Sequence, residues 1–334
     1  MQHPFKIAQI GAGPFSRARH APCLQRLASG PAPRLSLEAI CDLDLSRAEA
    51  FVRDFGYARA FTDLDRMLEE VQPDLIYCMT PPTATYGVLE RVLPRGQPTF
   101  TEKPPGITVE QAERLAALAE EYGTLTYVAF NRRRAPGIER LKRWSQEQGP
   151  LRYLRGEMFR HRRREPEFAI GTAIHLLDCL RYLGGEVVEM ATQALPYPDG
   201  EGRDFWAQLR LASGGVADLA ILVDCGLARE RYLIQVESAL MEVTLGGGYS
   251  SDFCPVGEAA YANDRVLFQD PAPEDPLLAG GFLGEHEAFL EAVEAGRRPD
   301  CCLQDACHSL RLAAALEAGY SGALDDFPPK EARG

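Results

Sequence analysis

The chain has 334 residues, 46% of them hydrophobic and 25% charged, which is enough apolar material for two cores. No run reaches the ~18 uninterrupted apolar residues of a membrane span, and the net charge of −12 argues against a broad nucleic-acid or anionic-membrane surface. Nine cysteines, an odd number without a C-x-x-C pair, argue against a disulfide scaffold, and the first residues lack the layout of a signal peptide, so a cytoplasmic protein is expected.

Residues 5–10 read as a short buried strand, followed by Gly11-Ala12-Gly13 and a helix to about Leu27. Ser29-Gly30-Pro31-Ala32-Pro33 is a breaker-rich loop. A second strand over residues 35–40 ends at Cys41-Asp42, and a helix over residues 45–55 is stopped by Gly56. Residues 74–79 form another strand before the turn Thr80-Pro81-Pro82, and Thr99-Phe100-Thr101 is strand-like. Thr108 and Gln111 have capping-box spacing for a helix whose apolar residues recur at helical intervals up to Gly123. Residues 125–130 are again strand-like. This alternation predicts right-handed βαβ units, a doubly wound parallel sheet, and a first domain over residues 1–130.

The pattern changes after Asn131. A strand over residues 151–159 is followed by an arginine-rich loop and a helix over residues 172–183, ended by Gly184-Gly185. Strand candidates follow at residues 187–195, 205–211, 216–223, 232–237 and 240–245, with Ser213-Gly214-Gly215 as a hairpin turn. Gly246-Gly247-Gly248 and residues 270–276 are expected loops, and two helices over residues 282–295 and 304–318 close the chain. Residues 131–334 are therefore expected to form a second domain with a mostly antiparallel sheet. Cys301, Cys302, Cys307 and His308 cluster, but their spacing fits no zinc finger or ribbon; they read as reduced thiols packed against a helix, and no metal site is expected.

A glycine-rich turn between a first strand and a first helix lets the backbone approach a pyrophosphate. Gly11 and Gly13 meet the first two positions of G-x-G-x-x-G, while Ser16 stands at the third. Asp42 ends the second strand, where a carboxylate can bind both ribose hydroxyls and repel a 2′-phosphate, so NAD is expected rather than NADP. Glu102-Lys103-Pro104 falls at the carboxyl edge of the expected sheet, where ligands bind; a lysine there can donate a hydrogen bond to a substrate hydroxyl. The chain has only four lysines, Lys6, Lys103, Lys142 and Lys330, which makes one in such a motif less a matter of chance.

These features resemble the Gfo/Idh/MocA family (glucose–fructose oxidoreductase, inositol dehydrogenase, rhizopine catabolism) over nearly the whole chain. The resemblance rests on Gly11-Ala12-Gly13-Pro14-Phe15, Asp42, Thr80-Pro81-Pro82 and Glu102-Lys103-Pro104. It continues through Asn131-Arg132-Arg133 and the helix from Ile174 to Gly184. It implies a Rossmann domain plus an α/β domain whose open sheet mediates a homodimer or homotetramer. It also implies cofactor contacts from Gly11, Gly13, Pro14, Phe15, Asp42, Thr80, Pro81, Glu102 and Lys103. The implied chemistry is hydride transfer between nicotinamide and a hydroxyl-bearing carbon of a sugar, polyol or sugar acid. Lys103 matches the family's active-site lysine and His175 its catalytic base, although by its apolar neighbours alone His175 reads as a packed helix histidine.

Two positions depart from the family pattern: Gly171 stands where many members carry an aspartate four residues before the histidine, and Thr85 where many carry a histidine. Asp178, three residues after His175, is a candidate replacement carboxylate and substrate contact, with hydrogen bonding within the second domain as the alternative. Asn131 and Arg132 are candidate substrate contacts where the chain leaves the first domain. The run Arg160-His161-Arg162-Arg163-Arg164 reads as a solvated loop or subunit contact, with an anion site as the alternative. Besides a dehydrogenase, the sequence leaves open a non-catalytic dinucleotide-binding sensor, and an enzyme that retains its NAD between two substrates or uses it for elimination chemistry.

Overall fold

Strand β1 (Phe5–Ile10) is buried from Ile7 onward, as a central strand covered on both faces must be. The structure, a computed structural model, describes residues 3–246, 257–263 and 265–328, so Gly247 and Gly248 of the expected glycine loop lie outside the described residues. The chain divides into two units: residues up to Ala129 together with Phe282–Cys307, and Phe130–Gly281 together with the residues from His308 on. The division expected at 130/131 placed Phe282–Cys307 in the second domain; in the structure that segment clusters with the first.

In the first unit β1 is followed by α1 (Pro14–Ala18), α2 (His20–Ala28), β2 (Leu35–Cys41), α3 (Leu45–Phe55), β3 (Arg59–Phe61) and α4 (Leu64–Val71). Then come β4 (Leu75–Cys78), α5 (Pro82–Val92), β5 (Thr99–Thr101), α6 (Val109–Glu121) and β6 (Thr126–Val128). The strands form one parallel sheet in the order β3-β2-β1-β4-β5-β6. The order reverses between β1 and β4, so the carboxyl ends of these two strands frame the crevice in which such sheets bind ligands.

The single helix expected up to Leu27 is broken at Arg19, whose φ of −125° lies outside the helical range. The cause is Pro22, which has no N–H and whose ring would clash with the Ala18 carbonyl in a continuous helix. At α6 the Thr108 hydroxyl accepts from the Gln111 N–H at 3.3 Å, while the Gln111 amide oxygen accepts from the Ile107 N–H at 2.9 Å. The capping box thus closes one residue earlier than the standard pattern. Gly56 and Gly123 adopt the left-handed φ expected beyond a helix end.

The second unit contains α7 (Pro136–Gln148), β7 (Tyr153–Phe159), a π-helical turn over Ala169–Ala173, α8 (Ile174–Gly184), β8 (Val187–Pro196), β9 (Arg203–Leu211) and β10 (Val216–Leu222). It continues with β11 (Arg229–Val236), β12 (Ala239–Gly246), β13 (Gly257–Ala262), β14 (Arg265–Pro271) and α9 (Pro276–Ala279). Two helices follow, α10 (Phe282–Glu294) in the first unit and α11 (Leu303–Glu317), within which the division between units falls; β15 (Ser321–Ala323) comes last. The nine strands run β14-β13-β12-β11-β7-β10-β9-β8-β15, and among the described pairs only β7 with β10 is parallel.

Strand β9 alternates buried and exposed residues from Phe205 to Leu211, the mark of a sheet with one covered face. Helix α8 supplies part of that cover: a Cβ on Gly156 of β7 would stand 2.9 Å from the Leu176 side chain, so the glycine permits close packing. The loop expected at residues 270–276 is shorter, because β14 runs to Pro271 and α9 starts at Pro276. Strand β14 is largely exposed and lacks the alternation that marks a half-buried strand.

Candidate active site

The glycine turn sits at the reversal of strand order. Gly11 has φ +98°, and a Cβ there would lie 2.4 Å from the Met79 carbonyl oxygen beyond β4. Only glycine lets the end of β1 pass so close to the end of β4. On Gly13, by contrast, a Cβ would meet nothing within 4 Å, so this side of the turn is open. Asp42 stands beside it: one carboxylate oxygen accepts the Ala12 N–H at 2.7 Å and the other accepts the Asp44 N–H at 2.9 Å. A tight turn, an open flank and an adjacent carboxylate fit a dinucleotide. Helix α1 is only five residues long and begins with Pro14, which has no N–H, so the helix terminus adds less to an anion site than the sequence suggested.

Ser16, at the third glycine position, is buried. Gln9 Nε2 donates to its hydroxyl at 2.9 Å and to the Gly11 carbonyl at 2.8 Å, while the Tyr57 hydroxyl donates to Gln9 Oε1 at 2.5 Å. The serine thus fastens α1 to β1, and the departure from the glycine pattern leaves the turn intact. Phe15 packs edge-on against His20, with ring centroids 5.5 Å apart.

At the next turn the Thr85 hydroxyl bonds the Thr80 hydroxyl at 2.9 Å and donates to the Pro81 carbonyl at 3.0 Å. Thr85 is fully buried, so where family members carry a histidine this chain carries a residue that braces the Thr80-Pro81-Pro82 turn.

Glu102 and Lys103 follow β5, and the Lys103–Pro104 peptide is cis. The Glu102 side chain is buried: one oxygen accepts from His20 Nε2 at 2.5 Å and the other from the Lys103 backbone N–H at 3.1 Å. Burial alone would raise the Glu102 pKa, but His20 and Lys103 outweigh it and hold the carboxyl below its ordinary value. Glu102, expected from the family resemblance to touch the cofactor, is thus engaged within the protein. His20 Nδ1 lies 3.0 Å from His286 Nε2 on α10, and burial together with His20 holds the His286 pKa well below its ordinary value. Neither histidine stood out in the sequence. The available signal for His20 was a histidine on the apolar face of α2, in line with Cys23 and Leu24.

In the second unit His175 lies near the start of α8, directly after the π-helical turn, a local irregularity that often marks functional sites. It is 7% exposed and packs edge-on against Phe130, with centroids 6.4 Å apart. Gly171 lies within the π turn, and a Cβ there would meet nothing within 4 Å.

Asp178 does not replace the missing carboxylate. It is fully buried, and its oxygens accept from Arg133 Nε at 2.8 Å, Arg133 Nη2 at 2.6 Å and the Ser309 hydroxyl at 2.7 Å. Three donors engage this carboxylate inside the second unit, which agrees with the hydrogen-bonding alternative for Asp178 and weighs against the substrate contact. Asn131 and Arg132 are likewise engaged: the Asn131 amide donates to the Gly280 carbonyl at 2.7 Å, and Arg132 Nη2 donates to Glu230 at 2.8 Å.

Arg160 joins the same carboxylate and is buried, so the first residue of the arginine run belongs to the interior rather than to a solvated loop. Burial alone would raise the Glu230 pKa, but Arg132 and Arg160 hold it at about 2. In the C-terminal cysteine cluster, Cys301 and Cys302 are buried and the Cys307 thiol donates to the Leu303 carbonyl at 3.2 Å. Among the described residues, no helix is long and apolar enough to cross a membrane.

Residues 5–130 match the profile of the oxidoreductase family with an NAD-binding Rossmann fold. The chain is 26% identical to inositol 2-dehydrogenase 4 of Saccharopolyspora erythraea, an alignment covering 95% of this chain and 92% of that protein. It is 31% identical to D-glucoside 3-dehydrogenase of Escherichia coli over 42% of this chain, a stretch that spans only 38% of that enzyme. The fold superposes on a dehydrogenase from Chromobacterium violaceum with a TM-score of 0.83 at 18% identity, covering 96% of both chains. The glycine turn, the Asp42 carboxylate, the Glu102-Lys103-Pro104 segment and the two-sheet architecture agree with these matches, and residues 5–130 match the Gfo/Idh/MocA oxidoreductase family with its NAD-binding Rossmann fold.

Proposed function

We propose that the chain is an NAD-dependent dehydrogenase that oxidises a hydroxyl-bearing carbon of a sugar, polyol or sugar acid, or reduces the corresponding ketone. The observation that carries this reading is Lys103, placed at the carboxyl edge of a sheet whose Gly11–Gly13 turn and Asp42 fit a dinucleotide. When bound, NAD supplies the hydride acceptor. Asp42 binds the ribose hydroxyls and repels a 2′-phosphate, which favours NAD over NADP. Lys103 donates a hydrogen bond to the substrate hydroxyl oxygen and favours its alkoxide, and His175 takes the hydroxyl proton.

The test is NADH formation against a panel of sugars, inositols and sugar acids, with Lys103→Ala and His175→Ala as controls. Loss of turnover in both variants is expected; turnover indifferent to both would overturn the assignment. Gly171 favours a second reading, a dinucleotide-binding sensor of the same fold, because it removes the carboxylate that serves the family's histidine. NAD binding without turnover across the panel would support that reading instead.

The nine-stranded sheet is the proposed surface for a homodimer or homotetramer. Its uncovered face carries Trp206 at 37% exposure, Val216 at 51% and Leu195 at 60%, apolar side chains that an interface would cover.

A further inference from the structure

Helix α10 contributes to a buried hydrogen-bonded chain that ends beside Lys103. From the inside outward it consists of His286, His20, Glu102 and the Lys103 backbone N–H, with links of 3.0, 2.5 and 3.1 Å. His20 and His286 are both fully buried. Their walls are aromatic: Phe100 stacks on His286 with centroids 4.7 Å apart, and Phe282 meets His20 edge-on at 6.0 Å.

The direction of the chain follows from its chemistry. An ionised carboxylate only accepts hydrogen bonds, so His20 Nε2 must donate to Glu102. The remaining ring nitrogen, Nδ1, then shares a hydrogen bond with His286 Nε2. The titratable groups facing Glu102 are His20 and Lys103, with the neutral thiol of Cys78 close by. Glu285, also fully buried, lies 3.8 Å from His20 Nδ1.

We propose that His20 is a positioning residue for Lys103: it fixes the Glu102 carboxylate, ionised and in one orientation, beside the lysine, while His286 holds the His20 ring in place. The carboxylate stabilises the charged lysine, so the side chain is kept as an ammonium that can donate a hydrogen bond and stabilise a developing alkoxide. The value of such a lysine to catalysis rests on the dehydrogenase reading above, but the electrostatic coupling does not. His20, His286 and Glu285 also present a geometry that a cation could use. Tetrahedral ligands of a zinc-like ion stand about 3.4 Å apart, whereas the 3.0 Å between the histidine nitrogens is a hydrogen-bond distance.

The experiment uses the full chain, whose four lysines make the Lys103 side chain resolvable by NMR after isotope labelling, with arginine substitutions at Lys6, Lys142 and Lys330 for assignment. His20→Phe removes the donor to Glu102 and keeps an aromatic ring. The Lys103 titration midpoint is expected to fall by about one unit in Glu102→Gln, which removes the charge, and by a smaller, resolvable amount in His20→Phe, which leaves the carboxylate ionised but frees its orientation. The double variant should show no further shift than Glu102→Gln alone. His20→Gln, whose amide N–H can still reach Glu102, should restore most of the wild-type value.

An unchanged Lys103 midpoint in folded His20→Phe would overturn the proposal. If that variant does not fold, the comparison of His20→Gln with Glu102→Gln decides it, because equal midpoints in the two overturn it. Stoichiometric zinc in the purified wild-type chain would overturn it as well, since His20 Nδ1 would then be a ligand. The titration needs no turnover, so a chain inactive on every polyol would sink the dehydrogenase reading and leave this result standing.

Discussion

The Asp178 carboxylate is clamped by the Arg133 guanidinium through two hydrogen bonds, at 2.8 and 2.6 Å, with both side chains buried. Removing one partner of such a pair strands the other charge away from water. Asp178→Ala is therefore expected to lower stability by about 3–5 kcal/mol, read from urea unfolding. If the variant instead unfolds like wild type and loses substrate affinity, Asp178 is a ligand contact and the structural role assigned to it is wrong.

Gly171 offers the opposite case, a position with room to spare. Gly171→Asp places a carboxylate four residues before His175 where a Cβ meets nothing within 4 Å. The negative charge stabilises protonated His175 and raises its pKa, so the acid limb of the kcat/KM profile should move up by about one unit. Turnover above that limb should rise, since His175 becomes the stronger base. A profile that does not move would show that position 171 is not coupled to the histidine.

Asp42→Ala tests the cofactor. The variant should gain NADP affinity and lose NAD affinity, each by about tenfold, read by dinucleotide titration. A wild-type chain that already prefers NADP would contradict the role given to Asp42.

Glu230 sets an acid-stability window. Its folded pKa of about 2 lies below the ordinary carboxylate value of about 4.3, so the unfolded state binds the proton more readily. The stability it contributes is present in full above about pH 5 and is lost as the pH falls toward 2. Glu230→Gln should flatten that part of the stability curve and lower neutral-pH stability by roughly 3 kcal/mol, because Arg132 and Arg160 lose their common partner. Thermal unfolding between pH 2 and 7, compared with wild type, measures both effects.

Trp206→Glu puts a charge on the uncovered face of the nine-stranded sheet. The variant is expected to shift the chain to a smaller assembly in sedimentation or light scattering while remaining folded. An unchanged mass would move the interface elsewhere.

The local devices of the fold were legible in the sequence because each is decided by neighbouring residues. Gly11 at a strand end, Gly56 and Gly123 beyond helices, Thr108 at a cap and Gly214 in a hairpin all followed from short-range geometry. Strand β3 was missed because a three-residue strand carries too little periodicity to register. Strand β14 was missed because its exposed residues carry no alternation.

The buried charges were illegible for a different reason. Arg133 pairs with Asp178 across 45 positions, Arg160 with Glu230 across 70, and Arg132 with the same Glu230 across 98. Read along the chain, Arg160 opens a charged run that suggests solvent, and Arg132 suggests a substrate contact. Only folding supplies their partners. The His20–His286 contact, across 266 positions, was hidden in the same way.

The return of Phe282–Cys307 to the first unit means that the cofactor-binding half of this protein is not a contiguous module of the gene. A fragment ending near residue 130 would carry the glycine turn but would expose His20 and the aromatic wall that α10 covers. Transplanting this half onto another substrate domain, by laboratory shuffling or natural recombination, requires two cuts and the grafting of a distant helix.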